Sequence, residues 1–324
     1  MIFTSDLEIR ATANLSAGGR VTLVNILRSV SANKVTLWVK TPDQFDDFQI
    51  PQHVCVKVFT ALDFFAPRKN YTQIIYLNAF KVFNPPNTNA ILMLQNILYL
   101  KPFRTNDFKG KCRKILFKLT LNLLAKKDEI FVHTNHVQEL LKLEAPTLKA
   151  RVKVLGIDHP FNTEHLSEIN AISENKIVSG FVYPTSNASH KNNKKLVAIW
   201  RKLTAIYHNC PPLFITICQK DLEDDDDNCG EQNIKFVGHL SYEELYALFD
   251  HKALLFVSEN ETLGLPILEA KKLLRPVVLL NKPWNVEHEN IDYRLNDLNE
   301  HELVQMLDFF MKEYSGALTN GALK

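Results

Sequence analysis

Residues 258–278 read SENETLGLPILEAKKLLRPVV and carry the clearest structural pattern in the chain. The apolar run ALLFVSE (253–259) leads into this segment, and the apolar run PVVLLNK (276–282) leads out of it. Pro266 follows Leu-Gly-Leu, and its missing N–H suits the first turn of a helix. The pattern therefore predicts strand, turn, helix and strand, which is the repeating unit of a parallel α/β sheet.

The same succession recurs through both halves of the chain, with continuous apolar runs that are typical of strands buried on both faces. The predicted strands are residues 34–40, 54–59, 73–79, 90–100, 129–134 and 151–157 in the first half, and 176–183, 212–218, 234–240, 253–259 and 276–282 in the second. Apolar residues at helical spacing lie between several of these runs. The two sets predict an α/β protein with two Rossmann-like, doubly wound domains.

The domain boundary is expected in the polar stretch 158–176, which reads as a linker. We therefore expect an N-terminal domain at residues 1–160 and a C-terminal domain at residues 161–300. A terminal helix is expected within residues 301–324, packing back toward the N-terminal domain. The acidic run KDLEDDDDNCGEQ (220–232) lacks the spacing of a calcium-binding loop and reads as a solvated surface loop.

The composition is that of a folded globular protein, with 46% hydrophobic and 23% charged residues in 324. The formal net charge is only +2, so the overall charge does not favour binding to nucleic acid. Five cysteines without Cys-x-x-Cys spacing indicate free thiols in a reducing compartment. The sequence has no signal-peptide pattern and no apolar run of 18 residues. We therefore expect a cytoplasmic protein.

The turn between strand and helix places Glu261, Gly264 and Glu269 where a ligand would bind. The carboxyl ends of parallel strands are the usual ligand site of such sheets. Free N–H groups at the helix start favour an anion such as phosphate, while carboxylates accept hydrogen bonds from sugar hydroxyls. This combination predicts a nucleotide sugar as ligand. A pair of carboxylates at a helix start, without any ligand, would fit the spacing equally well.

The segment ENETLGLPILEAKKLLRPVV resembles the signature of the retaining glycosyltransferases of family 4. That signature is Glu-x-Phe-Gly-Leu-Pro-x-x-Glu-Ala, followed by a Pro-Val-Val strand. The resemblance continues through IKFVGHLSYEELYALFDHKALLFVSE (234–259) and is weaker at SAGGRVTLVNIL (16–27) and RVKVLGID (151–158). It implies the GT-B fold, in which two Rossmann-like domains enclose a cleft, and it implies a sugar transferase.

The resemblance also implies roles for individual residues. Glu269 would bind the ribose hydroxyls, Glu261 the hydroxyls of the transferred sugar, and Lys191 would neutralise the diphosphate leaving group. Glu261 and Lys191 are thus the expected catalytic residues. The other expected donor-binding residues are the turn residues Thr262, Leu263 and Gly264, the lysine's neighbour His190, the residues near the base, Phe236, Gly238 and His239, and the opposite cleft wall, Gly18 and Gly19.

The sequence departs from the family pattern at several positions. The arginine that usually precedes the family lysine is absent from SGFVYPTSNASHK (179–191), and Leu263 replaces an aromatic residue. The first domain has no clear family histidine, so Gln95 and Asn96 are the candidates there for acceptor or cleft contacts, and a structural role fits them too. His133 and His136 are expected to be structural or cleft-lining. No metal site is implied, because helix amides and Lys191 meet the phosphate charge.

Residues 101–127 form a strongly basic segment, with nine lysines and arginines against the single acid Asp107. Apolar residues are interleaved with the basic ones, among them Phe103, Phe108 and Phe117. Such a pattern is typical of a helix that binds the surface of an anionic membrane. A core helix with a solvated basic face is the alternative. Nucleic acid is less favoured, because no recognised binding module accompanies the charge.

Taken together, these observations predict a cytoplasmic, peripheral membrane glycosyltransferase with no cofactor. The expected partners are a UDP- or GDP-linked sugar, a lipid-linked or polysaccharide acceptor, and the anionic surface at the inner face of the cytoplasmic membrane. Synthesis of a bacterial surface glycan, such as O-antigen or capsule, would use such an enzyme. A nucleotide-sugar epimerase and a catalytically silent partner subunit are the alternatives.

Overall fold

The computed structural model describes residues 7–11, 17–30, 34–41, 50–60, 71–77, 88–95, 97–100, 108–164, 166, 178–207, 209–222 and 233–314. The chain divides into two compact units, Met1–Ser167 and Glu168–Lys324. Each unit is built on a parallel sheet with helices packed against it.

The described part of the first unit contains a seven-stranded sheet in the order β3-β2-β1-β4-β5-β6-β7. All its strand pairs are parallel, with β1 in register so that Leu7 faces Val35 on β2. The order turns around at β1, which makes this sheet doubly wound as predicted. Its strands are β1 (Leu7–Ala11), β2 (Val35–Val39), β3 (Val54–Val58), β4 (Gln73–Leu77), β5 (Asn89–Met93), β6 (Glu129–Val132) and β7 (Arg151–Val154).

Helices cover both faces of this sheet, because alternate residues of each buried strand point to opposite sides. On one face Leu7 and Ile9 pack in a cluster with Leu23 and Ile26 of the first helix. On the other face strands β4 and β5 pack in a cluster with Phe117 of the second helix. The helices of this unit are α1 (Ala17–Ser29), α2 (Phe108–Leu123), α3 (Asn135–Glu144) and α4 (Pro160–Thr163).

Two segments of the first unit differ from the sequence prediction. The apolar run 90–100 is strand only to Met93, and a 3₁₀ turn at Ile97–Tyr99 follows it. The run stays apolar because Ile97 and Leu100 enter the same core as the strand. The predicted linker begins with α4, which packs against α1. The first unit therefore includes α4, and it ends at Ser167, within the polar stretch 158–176.

The second unit has six described strands in the order β10-β9-β8-β11-β12-β13, again all parallel. These strands are β8 (Gly180–Tyr183), β9 (Leu213–Ile215), β10 (Ile234–Phe236), β11 (Lys252–Phe256), β12 (Val277–Leu280) and β13 (Tyr293–Leu295). Its helices are α5 (Asn193–Ile206), α6 (Tyr242–Leu248), α7 (Leu265–Lys272) and α8 (Glu300–Tyr314). The two central strands, β8 and β11, therefore present their carboxyl ends side by side.

Local sequence determines where two of these helices begin. Ser241 caps α6 in a capping box with Glu244, as its Ser-x-x-Glu pattern predicts. Gly264 precedes α7 with φ +75°, a conformation that L side chains rarely adopt, and a Cβ there would lie 2.9 Å from Trp284 Cζ3. Pro266 then occupies the first turn of α7. The turn before α7 therefore favours glycine at this position.

The terminal helix packs on the second unit over its described length. Phe310 of α8 lies edge-on to Phe181 of β8, with ring centroids 5.2 Å apart. The Tyr314 hydroxyl donates a hydrogen bond of 2.6 Å to Asp292. Residues 315–324 lie outside the described residues, as does most of the acidic run 220–232. The expectation that the chain end packs toward the first domain stays a prediction.

Candidate functional site

Lys191 and Glu261 meet at the carboxyl edge of the second sheet. Lys191 lies in the loop after β8, and Glu261 lies in the loop after β11, the neighbouring strand. The Lys191 ammonium donates a hydrogen bond to Glu261 Oε1 and forms an ion pair with it. The side chains are 14% and 18% exposed, so the pair is accessible yet partly shielded from water. The structure thus brings together the two residues that were predicted to be catalytic.

The Lys191 ammonium also lies over the ring of Phe256, 5.2 Å from its centroid. A cation over an aromatic face is attracted by the ring quadrupole. Phe256 ends strand β11 and is fully buried. One side of the lysine head group therefore faces a carboxylate and another faces a fixed aromatic ring.

His190 is half-buried next to this pair. Burial lowers its pKa below the ordinary value; the neighbouring Glu261 carboxylate acts against this shift and the Lys191 ammonium adds to it. Because the net shift is downward, the imidazole is neutral at pH 7. It can therefore offer a hydrogen-bond donor or acceptor to a ligand but little positive charge, and it does not replace the missing arginine.

The turn before α7 is held rigidly. The carbonyl oxygen of Leu263 lies 2.7 Å from His288 Nε2, which must carry the proton because a carbonyl only accepts. Trp284 Nε1 donates to the carbonyl of Ser258 at 3.2 Å, and Leu263 itself is buried. Leu263 thus occupies a core position. Thr262 and Gly264 lie in the same turn, so the predicted amide-bearing residues are all placed at the helix start.

Glu269 lies in α7 and is only 3% exposed. Its carboxylate is therefore below the surface, not on it. The residue lies in the helix that directly follows the turn residues 262–264. Its role on a ribose stays a prediction.

The residues expected near the base follow β10 at the same edge of the sheet. Phe236 ends the strand, and Gly238 has φ +72°, which favours glycine. His239 is exposed. Since parallel strands end at one edge, these residues lie on the edge that carries Lys191 and Glu261. No contact to a base is shown, so this role also stays a prediction.

In the first unit, Gly18 and Gly19 lie within the first turn of α1 and not in a turn before it. The expected glycine-rich turn is therefore the start of a helix. Gln95 follows β5 at the carboxyl edge of its own sheet and is half-buried. Asn96 lies outside the described residues. Roles for these residues opposite a donor stay predictions.

His133 is a buried structural residue. Its Nδ1 lies 2.8 Å from Asn162 Oδ1, and Asn162 Nδ2 donates to the Gly156 carbonyl at 2.8 Å. Burial lowers the pKa of His133 to about 4, so the imidazole is neutral. Among the described residues, no three His, Cys, Asp or Glu side chains come together as metal ligands would.

The basic segment forms α2, and its apolar residues divide between two faces. Phe117 and Leu121 are buried in the core of the first unit. Five other apolar side chains are exposed: Phe108 (80%), Ile115 (59%), Leu116 (45%), Leu119 (53%) and Leu123 (47%). At about 100° per residue, these five positions fall within an arc of about 100° opposite the buried face. We call them the apolar stripe of α2.

Exposed basic residues flank the apolar stripe of α2. Lys111 and Lys118 lie on one side of it and Arg113 lies on the other. Phe103 is outside the described residues. Over the residues that the structure describes, no helix is both long and apolar enough to cross a membrane. The stripe is therefore an exposed apolar surface with a basic border.

Three residues of the site were not singled out by the sequence. Asn192, Glu259 and Lys282 connect the loops after β8, β11 and β12 through side-chain hydrogen bonds and an ion pair. The sequence contained a signal for two of them. The Asn-Asn pair after Lys191 marks Asn192, since asparagine tolerates a left-handed backbone, and the additional glutamate in Ser-Glu-Asn-Glu is Glu259. Their pairing depends on strand neighbours, which local sequence does not reveal.

No family model and no curated protein sequence matches the chain. Solved structures do. Sucrose-phosphate synthase from Thermosynechococcus elongatus aligns over 96% of this chain and 91% of that chain, with TM-score 0.62 and 13% identity. WaaG, a glycosyltransferase involved in lipopolysaccharide biosynthesis, aligns over 94% and 90%, with TM-score 0.59 and 10% identity.

A putative UDP-N-acetylglucosamine 2-epimerase from Listeria monocytogenes aligns over 96% of this chain and 88% of that chain, with TM-score 0.56 and 12% identity. Glycosyltransferases and an epimerase thus share this architecture. At such low identity the likeness concerns the fold and not the reaction. Two doubly wound parallel sheets in one chain, matched over nearly its whole length, show that this protein has the GT-B fold.

Proposed function

We propose that the protein transfers a sugar from a nucleotide-sugar donor to an acceptor, with retention of anomeric configuration. The observation that carries this proposal is the meeting of Lys191 and Glu261 beside the turn that opens α7. A lysine, a carboxylate and a helix start at the carboxyl edge of a parallel sheet suit a sugar attached to a diphosphate. The GT-B fold supports this assignment.

In the proposed reaction, the bond between the anomeric carbon and the diphosphate breaks, and negative charge develops on the leaving phosphate. Lys191 and the amides of Thr262 and Gly264 stabilise that charge, as preorganised donors do in transition states. Glu261 binds hydroxyls of the transferred sugar, and Glu269 binds the ribose. The donor is a UDP- or GDP-linked sugar, and no metal ion is required.

The ion pair implies an exchange of partners when the donor binds. Without donor, Lys191 is neutralised by Glu261. A diphosphate carries more charge than one carboxylate and attracts the ammonium more strongly. Once Lys191 turns to phosphate, Glu261 is free to accept hydrogen bonds from the sugar. Donor binding and sugar recognition are thereby coupled through one side chain.

The acceptor is proposed to be lipid-linked or a polysaccharide, at the inner face of the cytoplasmic membrane. The apolar stripe of α2 with its basic border supports this part of the proposal. Apolar side chains enter the boundary of a bilayer while neighbouring lysines and arginines bind anionic headgroups. Phe117, considered for insertion from the sequence, is buried and does not contribute. Assembly of a bacterial surface glycan, such as O-antigen or capsule, fits such a peripheral enzyme.

A nucleotide-sugar epimerase is the second candidate, favoured by the structural likeness to the Listeria protein. It would use the same donor site but would not need the apolar stripe of α2. A catalytically silent partner subunit is the third, favoured by the missing arginine before Lys191.

A panel of UDP- and GDP-sugars, incubated with the protein with and without EDTA, tests the proposal. We expect one donor to be hydrolysed slowly without acceptor and equally fast in EDTA. Release of nucleoside diphosphate supports transfer, whereas a product with an inverted sugar carbon and an intact diphosphate shows an epimerase. No reaction and no binding with any donor would contradict an enzymatic role. Loss of hydrolysis in EDTA, restored by Mg²⁺ or Mn²⁺, would contradict metal independence.

A further inference from the structure

The loop that carries Lys191 is tied to the end of β11 on both sides of the lysine. The backbone N–H of Glu259 donates to the carbonyl of His190 at 2.8 Å. Asn192 Nδ2 donates to the carbonyl of Val257 at 2.9 Å and to Glu259 Oε1 at 2.8 Å. Lys191 therefore sits between two residues that are both fixed to the neighbouring strand end.

Asn192 has the conformation that these bonds require. Its φ is 58° and its ψ is 20°, in the left-handed region that glycine and asparagine tolerate best. An amide nitrogen has two hydrogens, and here two acceptors are present, one main-chain oxygen and one carboxylate. The Tyr183 hydroxyl also donates to the carbonyl of Lys191. The backbone around the lysine is thus held at successive residues.

Glu259 is held in turn by Lys282, which follows β12. Glu259 Oε2 and Lys282 Nζ are 2.5 Å apart. Burial acts to raise the pKa of Glu259, but the hydrogen bonds from Lys282 and Asn192 outweigh it and hold that pKa below its ordinary value. The residue is a carboxylate at neutral pH. One charged side chain therefore links the ends of three adjacent strands, β8, β11 and β12.

We propose that Asn192 and Glu259 are positioning residues that set the Lys191 ammonium against Glu261 and hold it where the donor diphosphate binds. Neither residue needs to touch the donor, because each acts through the backbone of the loop that carries the lysine. Lys282 keeps Glu259 in place. The identity of the ligand rests on the proposed function, whereas the placement of Lys191 does not.

The variant Asn192→Gly tests the placement without any ligand. Glycine keeps the left-handed backbone and removes both side-chain bonds. The Lys191 signal in the nitrogen-15 spectrum of lysine ammonium groups is assigned by its absence from Lys191→Arg. In Asn192→Gly we expect this signal to shift, as it does when Glu261→Gln removes the ion pair. An unchanged Lys191 signal in Asn192→Gly would overturn the proposal.

Asn233→Gly is the matched control. Asn233 also has a positive φ, 28°, and its Nδ2 donates to a main-chain carbonyl, that of Cys210, at 2.7 Å. It precedes β10 and so lies at the amino edge of the same sheet. We expect this variant to lose similar stability and to leave the Lys191 signal in place.

Calorimetric titration with UDP and with GDP supplies the second readout. Whichever of the two nucleotides binds wild type should bind Asn192→Gly with about tenfold lower affinity, as expected when a charge-assisted contact is lost. Glu259→Gln should do the same, and the double variant should be little worse than either single one, because both act through one contact. Lowered thermal stability with unchanged affinity would make Asn192 merely structural and overturn the proposal. If wild type binds neither nucleotide, the proposed function fails, and the ammonium spectrum still decides the positioning role.

Discussion

The Lys191 ammonium and the Glu261 carboxylate neutralise each other in the second unit. Any anion that binds Lys191 competes with Glu261 for the ammonium, so the carboxylate opposes phosphate binding while it favours sugar binding. We therefore expect Glu261→Gln to bind UDP or GDP about fivefold more tightly, from roughly 1 kcal/mol of lost competition. Turnover with the nucleotide sugar should fall, because the amide accepts hydroxyl hydrogen bonds less strongly. Titration calorimetry and steady-state assays measure the two effects.

Glu243→Gln is the control for the change of one charge, because Glu243 is exposed on α6 in the same unit. It should alter neither nucleotide affinity nor turnover. If Glu261→Gln weakens the nucleotide, the carboxylate does not compete for Lys191, and the exchange of partners is wrong.

At the scale of secondary-structure elements, the end of β6 is joined to α4 by the buried pair His133 and Asn162. The pKa of His133 is about 4 in the fold against 6.5 in a model peptide, so protonation favours the unfolded chain. The contribution of neutral His133 to the stability of the fold is fully present above pH 6.5. It is lost as the pH falls through 4, and the loss amounts to up to about 3 kcal/mol because one pKa unit corresponds to about 1.4 kcal/mol. We expect urea unfolding of the wild-type first unit to show this loss of unfolding free energy between neutral and acid pH. The His133→Gln variant should show a smaller loss over the same pH range.

His136, half-buried on α3, provides the comparison for that measurement. A His136→Gln variant should keep the acid sensitivity of wild type. Equal acid sensitivity in wild type and His133→Gln would show that other groups govern the low-pH transition.

The apolar stripe of α2 is the second element with a measurable consequence. Leu116→Ser and Leu119→Ser together should reduce sedimentation with anionic vesicles, because burying each leucine contributes about 1.5–3 kcal/mol. Replacing Lys111, Arg113 and Lys118 with Gln should further reduce the fraction of protein that sediments with the vesicles at low salt. At high salt the same replacement should change this fraction little, because exposed charges are screened. Vesicle co-sedimentation at two salt concentrations separates the contributions.

Leu143→Ser is the control for the stripe, since Leu143 is 67% exposed and lies on α3, outside the apolar stripe of α2. It should sediment like wild type. If wild type itself stays in the supernatant at low salt, α2 does not bind membranes, and a soluble acceptor becomes the better proposal.

At the scale of the whole molecule, the described residues proposed to bind the donor phosphates and sugar all belong to the second unit. UDP or GDP at about 100 times its dissociation constant should stabilise the full chain by about 2.7 kcal/mol. Hydrogen exchange should slow most in the loops 184–192 and 257–264. Slowing confined to residues 1–167 would place the nucleotide on the wrong unit and contradict the site.

Several features of this protein follow from local sequence alone. Apolar runs separated by helical segments predicted both doubly wound sheets, because burial on two faces demands continuous apolar strands. The Gly264-Leu-Pro turn and the Ser241 capping box were also readable, since both depend on backbone geometry within a few residues.

Other features were decided only by tertiary packing. The bonds from Asn192 to Val257 and Glu259, and from Glu259 to Lys282, join residues that are distant in sequence and meet because β8, β11 and β12 are adjacent strands. Both faces of α2 carry large apolar side chains, and which of them is buried depends on the sheet beneath the helix. The sequence shows that a side chain is apolar, whereas only the packed fold determines whether that side chain lies in the core or contacts solvent.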